Sequence, residues 1–496
     1  MGSSRVKKNL IWGFGGRLFT IMLGFIVPRL MIKGYGSDVN GLVNTVTQIF
    51  TYMALLEAGI GQAARNALYK PFANKNQEEI STIASSAQHY YRRITVIYGF
   101  AVIALSALLP YIIISDVPKL TIFLIVIFQG FANVIVFYFV QTKSIILQVD
   151  GKGYIAQTVT VVNKTASYAA QIGLALMGVS IVFLQVAHFI INISVSLFYR
   201  WYFKKHYSWI QFSISSGEIK LPDRNAYIVT ELAWTIFSST DMIVLSMFIS
   251  TKLSSVYSVY ALVFTQLSGL LSSVYTNFHY VLGRTYHNDI EQYKKTHDLF
   301  SSLCLGTMST FMAVSYILIL PFVHLYTNGV NDVNYIYHEL PIMFCMIQML
   351  SWSRMVTGHL TGVAGYAKKV SVVSLIEAFT NVVFSVVLVR SMGIIGVLLA
   401  TVLALPLKVI YCTYLCDRKI LHRSYVNTLK IYSANYLVFA SAVLVHKIHE
   451  FHISGYLSFM LYALGLSIFF GILTVAANYV ANPSVRYFLQ RRLKHG

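Results

Sequence analysis

Charge is scarce in this chain, and negative charge most of all: 18 Asp and Glu stand against 38 Lys and Arg in 496 residues, and charged residues of either sign make up 11%. A soluble globular chain usually carries about twice that charged fraction, so a water-exposed fold is excluded. Cysteine is also rare. Cys304, Cys345, Cys412 and Cys416 all lie in apolar stretches, where a free thiol behaves as a small hydrophobe, and no disulfide framework is implied. Cys412 and Cys416 share a helix face, but no neighbouring pair of His or Cys ligands accompanies them, so no metal site is expected. A phosphate-binding loop is missing too. Gly13-Phe14-Gly15-Gly16 is Gly-rich but lacks the Lys-Ser/Thr ending, which excludes ATP hydrolysis by this chain. With no nucleophile set beside a base at suitable spacing, neither a catalytic residue nor a cofactor is expected.

What the chain has is apolar length: 56% of its residues are hydrophobic and the mean hydropathy is +0.63. Fourteen apolar segments, most of about 20 residues or more, can each cross a bilayer as a helix. They fall near 9–32, 40–64, 94–114, 120–142, 154–177, 181–199, 225–250, 255–283, 299–325, 340–363, 370–389, 394–416, 431–445 and 456–479. The first is too long for a signal-peptide core and lacks a small-residue cleavage site, so it reads as a permanent span. The expected fold is an all-α polytopic membrane protein. Its longest outer connection, Thr327 to Glu339, leaves no room for an outer catalytic domain.

The net charge of +20 would suggest nucleic acid in a soluble chain. Here most bases lie on one side: Arg5, Lys7 and Lys8, then Lys70, Lys75, Arg92 and Arg93, then Lys204 and Lys205, and so on to Arg491, Arg492 and Lys494. Cationic loops stay cytoplasmic, which places both termini there and makes the excess charge a matter of topology and anionic membrane lipid, not nucleic acid. Tyr90-Tyr91 followed by Arg92-Arg93 reads as a membrane-surface anchor.

Residues about 211 to 217 apart match weakly but in order: Met177-Gly178-Val179 with Met392-Gly393-Ile394, Gly153-Tyr154 with Gly365-Tyr366, and Ser37-Asp38-Val39 with Ser254-Ser255-Val256. This organises the chain as two pseudo-symmetric six-helix lobes, 1–205 and 225–417, joined by a cytoplasmic linker, 206–224, and followed by helices 13 and 14 with a basic tail, 418–496. Six is even, so the lobes enter the membrane from the same side, as in carriers built from parallel repeats.

Nine ionisable groups interrupt the spans: Arg17, Arg29, Lys164, Arg354 and Lys408 against Glu57, Glu231, Asp241 and Glu377. A charge at the bilayer centre costs a few kcal/mol, so such groups should face protein or water. Helical phase sets Lys164 beside Gln157, Thr160, Ser167, Tyr168 and Gln171, too many polar groups to face lipid. Arg354 shares a face with Ser351, Thr357, Gly358 and Thr361, and Glu377 with Ser374, Asn381 and Ser385. Arg17 sits among Gly13, Thr20, Gly24 and Pro28. Two readings follow. In one, Arg17, Lys164, Arg354 and Lys408, with Gln157, Gln171 and Asn381, bind an anionic substrate, since ammonium and guanidinium groups hold phosphate strongly; Glu57, Glu231, Asp241 and Glu377 then carry a coupling cation or pair with the bases. In the other, all are buried ion pairs that fix helix packing. Arg29 can snorkel to the outer interface, and His188 and His279 read more readily as packing residues than as proton relays.

Ser37-Asp38-Val39-Asn40-Gly41-Leu42, Leu55-Leu56-Glu57-Ala58-Gly59-Ile60-Gly61, Ala67-Leu68-Tyr69-Lys70-Pro71 and Tyr90-Tyr91-Arg92-Arg93 resemble the polysaccharide transport family, and the turn Ser391-Met392-Gly393-Ile394-Ile395-Gly396-Val397 followed by Ala400-Thr401 looks like the span 11 to 12 turn of its wider superfamily. These are the Wzx-type oligosaccharide flippases of the multidrug/oligosaccharidyl-lipid/polysaccharide (MOP) exporter superfamily. The resemblance implies a V-shaped pair of six-helix lobes in the bacterial cytoplasmic membrane. It also implies flipping of a polyprenyl-(pyro)phosphate-linked oligosaccharide to the outer leaflet by alternating access, for O-antigen, capsule or similar biosynthesis. Polysaccharide polymerase and glycosyltransferases are then the implied partners. Two other readings stay open: a multidrug or cation antiporter of the same superfamily, and a membrane-embedded glycan polymerase or transferase.

Overall fold

Inside hydrocarbon no water satisfies a peptide group, so a spanning segment must close its hydrogen bonds within itself, and this chain does so with helices. A computed structural model describes the backbone of residues 2–212, 224–449, 451 and 453–495. Side chains are described from 21 onward, apart from 53–60, 62, 63, 66, 213–231, 234, 277, 279–281, 284, 287, 450, 452 and 492–496. Among the described residues there is no strand.

The helices are α1 (Gly2–Ala73), α2 (Gln77–Ile112), α3 (Lys119–Phe139), α4 (Gln141–Val149), α5 (Gly153–Leu176), α6 (Ile181–His206), α7 (Arg224–Phe248) and α8 (Thr251–Tyr275). A 3-10 turn, Thr276–Phe278, leads to α9 (His279–Asn288), α10 (Ile290–Tyr326), α11 (Leu340–Ser353), α12 (Met355–Val363) and α13 (Ala367–Tyr414). A π-helical turn, Leu415–Ile420, precedes α14 (Val426–Ile448), α15 (Tyr456–Ala481) and α16 (Pro483–His495).

Fourteen crossings emerge once two glycine breaks are recognised. Gly36 (φ 84°) divides α1 and Gly393 (φ 60°) divides α13, each in the left-handed region that side chains with a Cβ avoid, so one residue ends a crossing and begins the next. Spans 8 and 10 are each built from helices in series, α8 with α9 and α11 with α12. On the described residues alone, eight helices are long and apolar enough to cross, α13 with its π turn counting once. α5, which is not among them, carries the Lys164 stripe; its polar groups lower its hydropathy.

The chain forms two compact units, Met1–Ser255 and Val256–Gly496. In the first, α3 lies between α2 and α6, α5 packs on α1 and α6, and α7 runs along α1. One apolar core gathers Val27, Leu42, Phe50, Tyr98, Val102 and Ile125; a second gathers Leu68, Ile80, Tyr91, Ile146, Tyr199 and Phe203. Tyr91 is therefore fully buried, and the expected surface anchor reduces to its neighbours. Most of the linker assigned to 206–224 lies outside the described residues.

At one end of this unit the two segments that the repeat aligns meet. Asn40 Nδ2 donates to Ser255 Oγ at 2.7 Å, and the Thr251 hydroxyl donates to Asp38. Asp38 also accepts from Ser115 Oγ at 3.0 Å and from the Asp116 N–H at 2.7 Å, while Lys252 pairs with Asp116 at 2.7 Å. Gly41 permits this approach: a Cβ there would fall on the backbone of Thr251 and Ser255.

In the second unit α10 packs on α11, α14 and α15 around Ala313, Ile317, Leu318, Val438 and Phe470. Asn435 and Asn478 exchange amide hydrogen bonds of 2.8 and 3.2 Å between α14 and α15, each satisfying a polar group that hydrocarbon would leave bare. All four cysteines are buried and free.

Candidate functional site

The second unit brings three of the charged residues expected from the sequence into one cluster. Arg354 sits at the break between α11 and α12, where the Tyr432 hydroxyl donates to the Ser353 carbonyl at 2.5 Å and supplies a partner near the helix interruption. Its guanidinium pairs with Glu377 on the first half of α13. Lys408, on the second half of α13, is close enough to interact electrostatically with both. Arg354 and Glu377 are buried, at 6% and 3% exposure, whereas Lys408 is half-buried. One turn from Glu377, Asn381 donates to Thr401 Oγ1 at 2.7 Å and is fully buried. With all three groups ionised the cluster carries one surplus positive charge, and Lys408 is its least buried residue. A cation so placed can hold an anion, while Glu377 holds Arg354 in place.

The stripe on α5 resolves into two faces. Gln157, Thr160 and Lys164 are exposed, Tyr168 and Gln171 are half-buried, and Ser167 is buried. Beside them Asn163 donates to Asn192 Oδ1 at 3.3 Å, and Asn192 lies 3.3 Å from His188 Nε2, so this histidine sits in a packing contact. Exposed Lys164, Gln157 and Thr160 on a membrane helix require water or substrate, not acyl chains.

Asp241 is buried in α7, where Tyr52 of α1 bonds Thr240 at 2.5 Å and Ile236 O at 3.1 Å. Arg29 is half-buried. The side chains of Arg17, Glu57, Glu231 and His279 lie outside the described residues.

Two polar clusters were not expected from the spans. One is the Asp38 network at one end of the first unit. The other clasps one end of the second unit: Arg423 donates to Asp298 at 2.7 and 3.0 Å and to Asp417 at 2.8 Å, and Thr428 donates to Asp417 at 2.6 Å. His297 packs against it, with Nδ1 3.3 Å from Asp298 and Nε2 3.4 Å from Cys416 Sγ. Burial pushes the Asp298 carboxyl up, but His297 and Arg423 outweigh it and leave it below the usual range. Arg423 is burdened by burial too, yet its two carboxylates raise its affinity for the proton. Asp38 carried a signal, since it lies in a repeated motif; Arg423 carried none, because a loop arginine looks topological.

No family model matches the sequence, and no curated protein matches it either. Solved structures do. The fold is similar to that of a lipid II flippase, MurJ, in an inward closed conformation, with TM-score 0.67 and 14% identity over 95% of this chain and 99% of that one. It is similar to an inward-facing multidrug resistance MATE transporter of the MOP superfamily, with TM-score 0.65 and 14% identity over 86% and 98%. A transporter of that superfamily from Pyrococcus furiosus, described by a reverse polarity of its binding pocket, gives TM-score 0.55 and 14% identity over 89% and 96%. The chain thus has the all-helical, multi-pass membrane fold of MOP transporters.

Proposed function

We propose that this protein is a transporter that flips a polyprenyl-(pyro)phosphate-linked oligosaccharide from the cytoplasmic to the outer leaflet by alternating access, for cell-surface polysaccharide biosynthesis. The observation that carries the reading is the surplus of base. Among the described side chains within spans, Arg29, Lys164, Arg354 and Lys408 outnumber Asp241 and Glu377, and Glu377 is already paired with Arg354. Lys408 and Lys164 are the amines we assign to the phosphate head, with Arg17 as a third base. Arg354 and Asn381 then position Lys408 and its helix, and Gln157 and Gln171 meet sugar hydroxyls. Glu57, Glu231 and Asp241 are the acids we assign to a coupling cation or to pairing. The likeness to a lipid II flippase supports the same class of substrate.

The second reading, a multidrug or cation antiporter, rests on the likeness to MATE structures. A cationic substrate calls for an acidic lining, and the charge balance runs the other way. Reconstitution into vesicles separates the two. A fluorescent lipid-linked oligosaccharide should exchange between leaflets, tested with and without proton and sodium gradients, and Lys164→Ala and Lys408→Ala should each slow exchange by about tenfold or more, the worth of one charge-assisted hydrogen bond. Wild-type rates in both variants, or transport of a cationic dye without lipid exchange, overturn the proposal.

A further inference from the structure

Outside the spans, one group of bases has no carboxylate partner among the described residues and no part in the reading above. α3 has 21 residues, about 30 Å of helix, and so crosses the hydrocarbon alone. The break at Val140 therefore sets the start of α4, and Lys143, at the membrane surface. The helices on either side of α3 contribute an arginine each at that level, Arg92 from α2 and Arg200 from α6. Arg92 lies over the Tyr138 ring at 5.4 Å, and Lys143 Nζ over the Phe203 ring at 6.0 Å.

We propose that Arg92, Lys143 and Arg200 form a binding site for the phosphodiester headgroup of an anionic membrane phospholipid. Three observations carry it. First, the cations converge without an acid: among the described residues none of the three has a carboxylate partner. Asp150, which follows α4, is engaged by Lys152 at 2.8 Å and by the Tyr207 hydroxyl at 2.5 Å. Second, Lys143 is half-buried. A lysine that serves topology alone extends its amine into water. This one is held against a ring, and burial together with Arg200 and Arg92 pushes its amine down to about 8. An anion between the three would relieve both costs. Third, the wall just below the cations is apolar and open on the same three helices, with Ile97, Phe139 and Leu197 exposed. That wall suits the acyl chains of a phospholipid and offers nothing to a soluble anion.

The test uses the full chain, purified in detergent, with native mass spectrometry reading the retention of phosphatidylglycerol against phosphatidylcholine. Wild type should retain phosphatidylglycerol selectively, and Lys143→Gln and Arg200→Gln should each weaken it by about fivefold, the worth of one base near an anionic headgroup. Lys204→Gln with Lys205→Gln, on the same helix as Arg200 but outside the convergence, should change little. Lys143→Arg should keep selectivity, which separates loss of charge from loss of fold. Acetylation of the Lys143 amine should slow when phosphatidylglycerol is added in nanodiscs. Equal retention in Lys143→Gln and wild type, or an equal loss in the Lys204/Lys205 control, overturns the site. Displacement of the lipid by millimolar pyrophosphate overturns the assignment to a lipid.

Discussion

Replacing Glu377 with Gln removes the anion that Arg354 is paired with and leaves two cations, Arg354 and Lys408, within electrostatic reach of each other in a buried place. Breaking a buried ion pair by removing one partner costs about 3–5 kcal/mol, because the remaining charge stays desolvated. The Gln carbonyl still accepts one hydrogen bond, so the expected loss for Glu377→Gln is near the lower end, about 3 kcal/mol. Substituting both partners, Arg354→Met with Glu377→Leu, removes the two desolvation costs together and should recover most of that loss or exceed it. The pair should also respond little to salt, since buried charges are weakly screened.

Unfolding in mixed detergent micelles, followed by tryptophan fluorescence, measures this. Trp352 is a local reporter, as it lies two residues from Arg354 and donates to Ser268 at 2.9 Å. Leaflet exchange of a lipid-linked oligosaccharide by the same variants measures function separately. The double variant should be stable and yet transport slowly, because Lys408 would have lost the groups that set its place. If Glu377→Gln unfolds like wild type, the pair does not bear the desolvation cost argued here. If the double variant is stable and transports at the wild-type rate, the charges serve packing alone and the substrate head is not held there.

Arg423→Ala should destabilise the second unit by about 3–5 kcal/mol by stranding Asp298 and Asp417, and Arg423→Lys should recover little, because a point ammonium cannot replace a fork that reaches both carboxylates. The same clasp predicts acid sensitivity. Asp298 has a lowered folded pKa, so its stabilisation is complete above the ordinary carboxylate value of about 3.9 and is lost as pH falls through the folded value. The unfolding midpoint should stay flat from about pH 7 to 5 and drop below about pH 4, and Arg423→Ala should weaken or reverse that drop, because burial without the guanidinium raises the Asp298 carboxyl and protonation then relieves the stranded charge. Gly41→Ala should open the Asp38 end of the first unit, where a Cβ has no room against the Thr251 and Ser255 backbone. Cysteines placed at Val39 and Leu253 should label faster with a water-soluble maleimide in this variant, and unchanged labelling would count against the contact.

The spans were legible because the cost of burying a peptide group in hydrocarbon acts on each segment alone, and so leaves its mark in one dimension. Helical phase reached a step further. It grouped Ser374, Glu377, Asn381 and Ser385 on one face, and all four are buried together. It grouped Ser167 with Lys164 as well, and there the stripe divides, with Ser167 buried and Lys164 exposed. Phase gives a direction but not what stands in it. The interfacial bases show why more was hidden. Arg423 and Arg92 both lie in cationic segments that topology alone would explain, yet one is locked between Asp298 and Asp417 and the other converges with Lys143 and Arg200. Asp298 is 125 residues from Arg423, and the three converging bases come from three helices, so no local pattern separates a clasp from an open anion site. What distinguishes them is whether an acid arrives from elsewhere in the chain. That depends on helix packing, which charge counting by loops averages away.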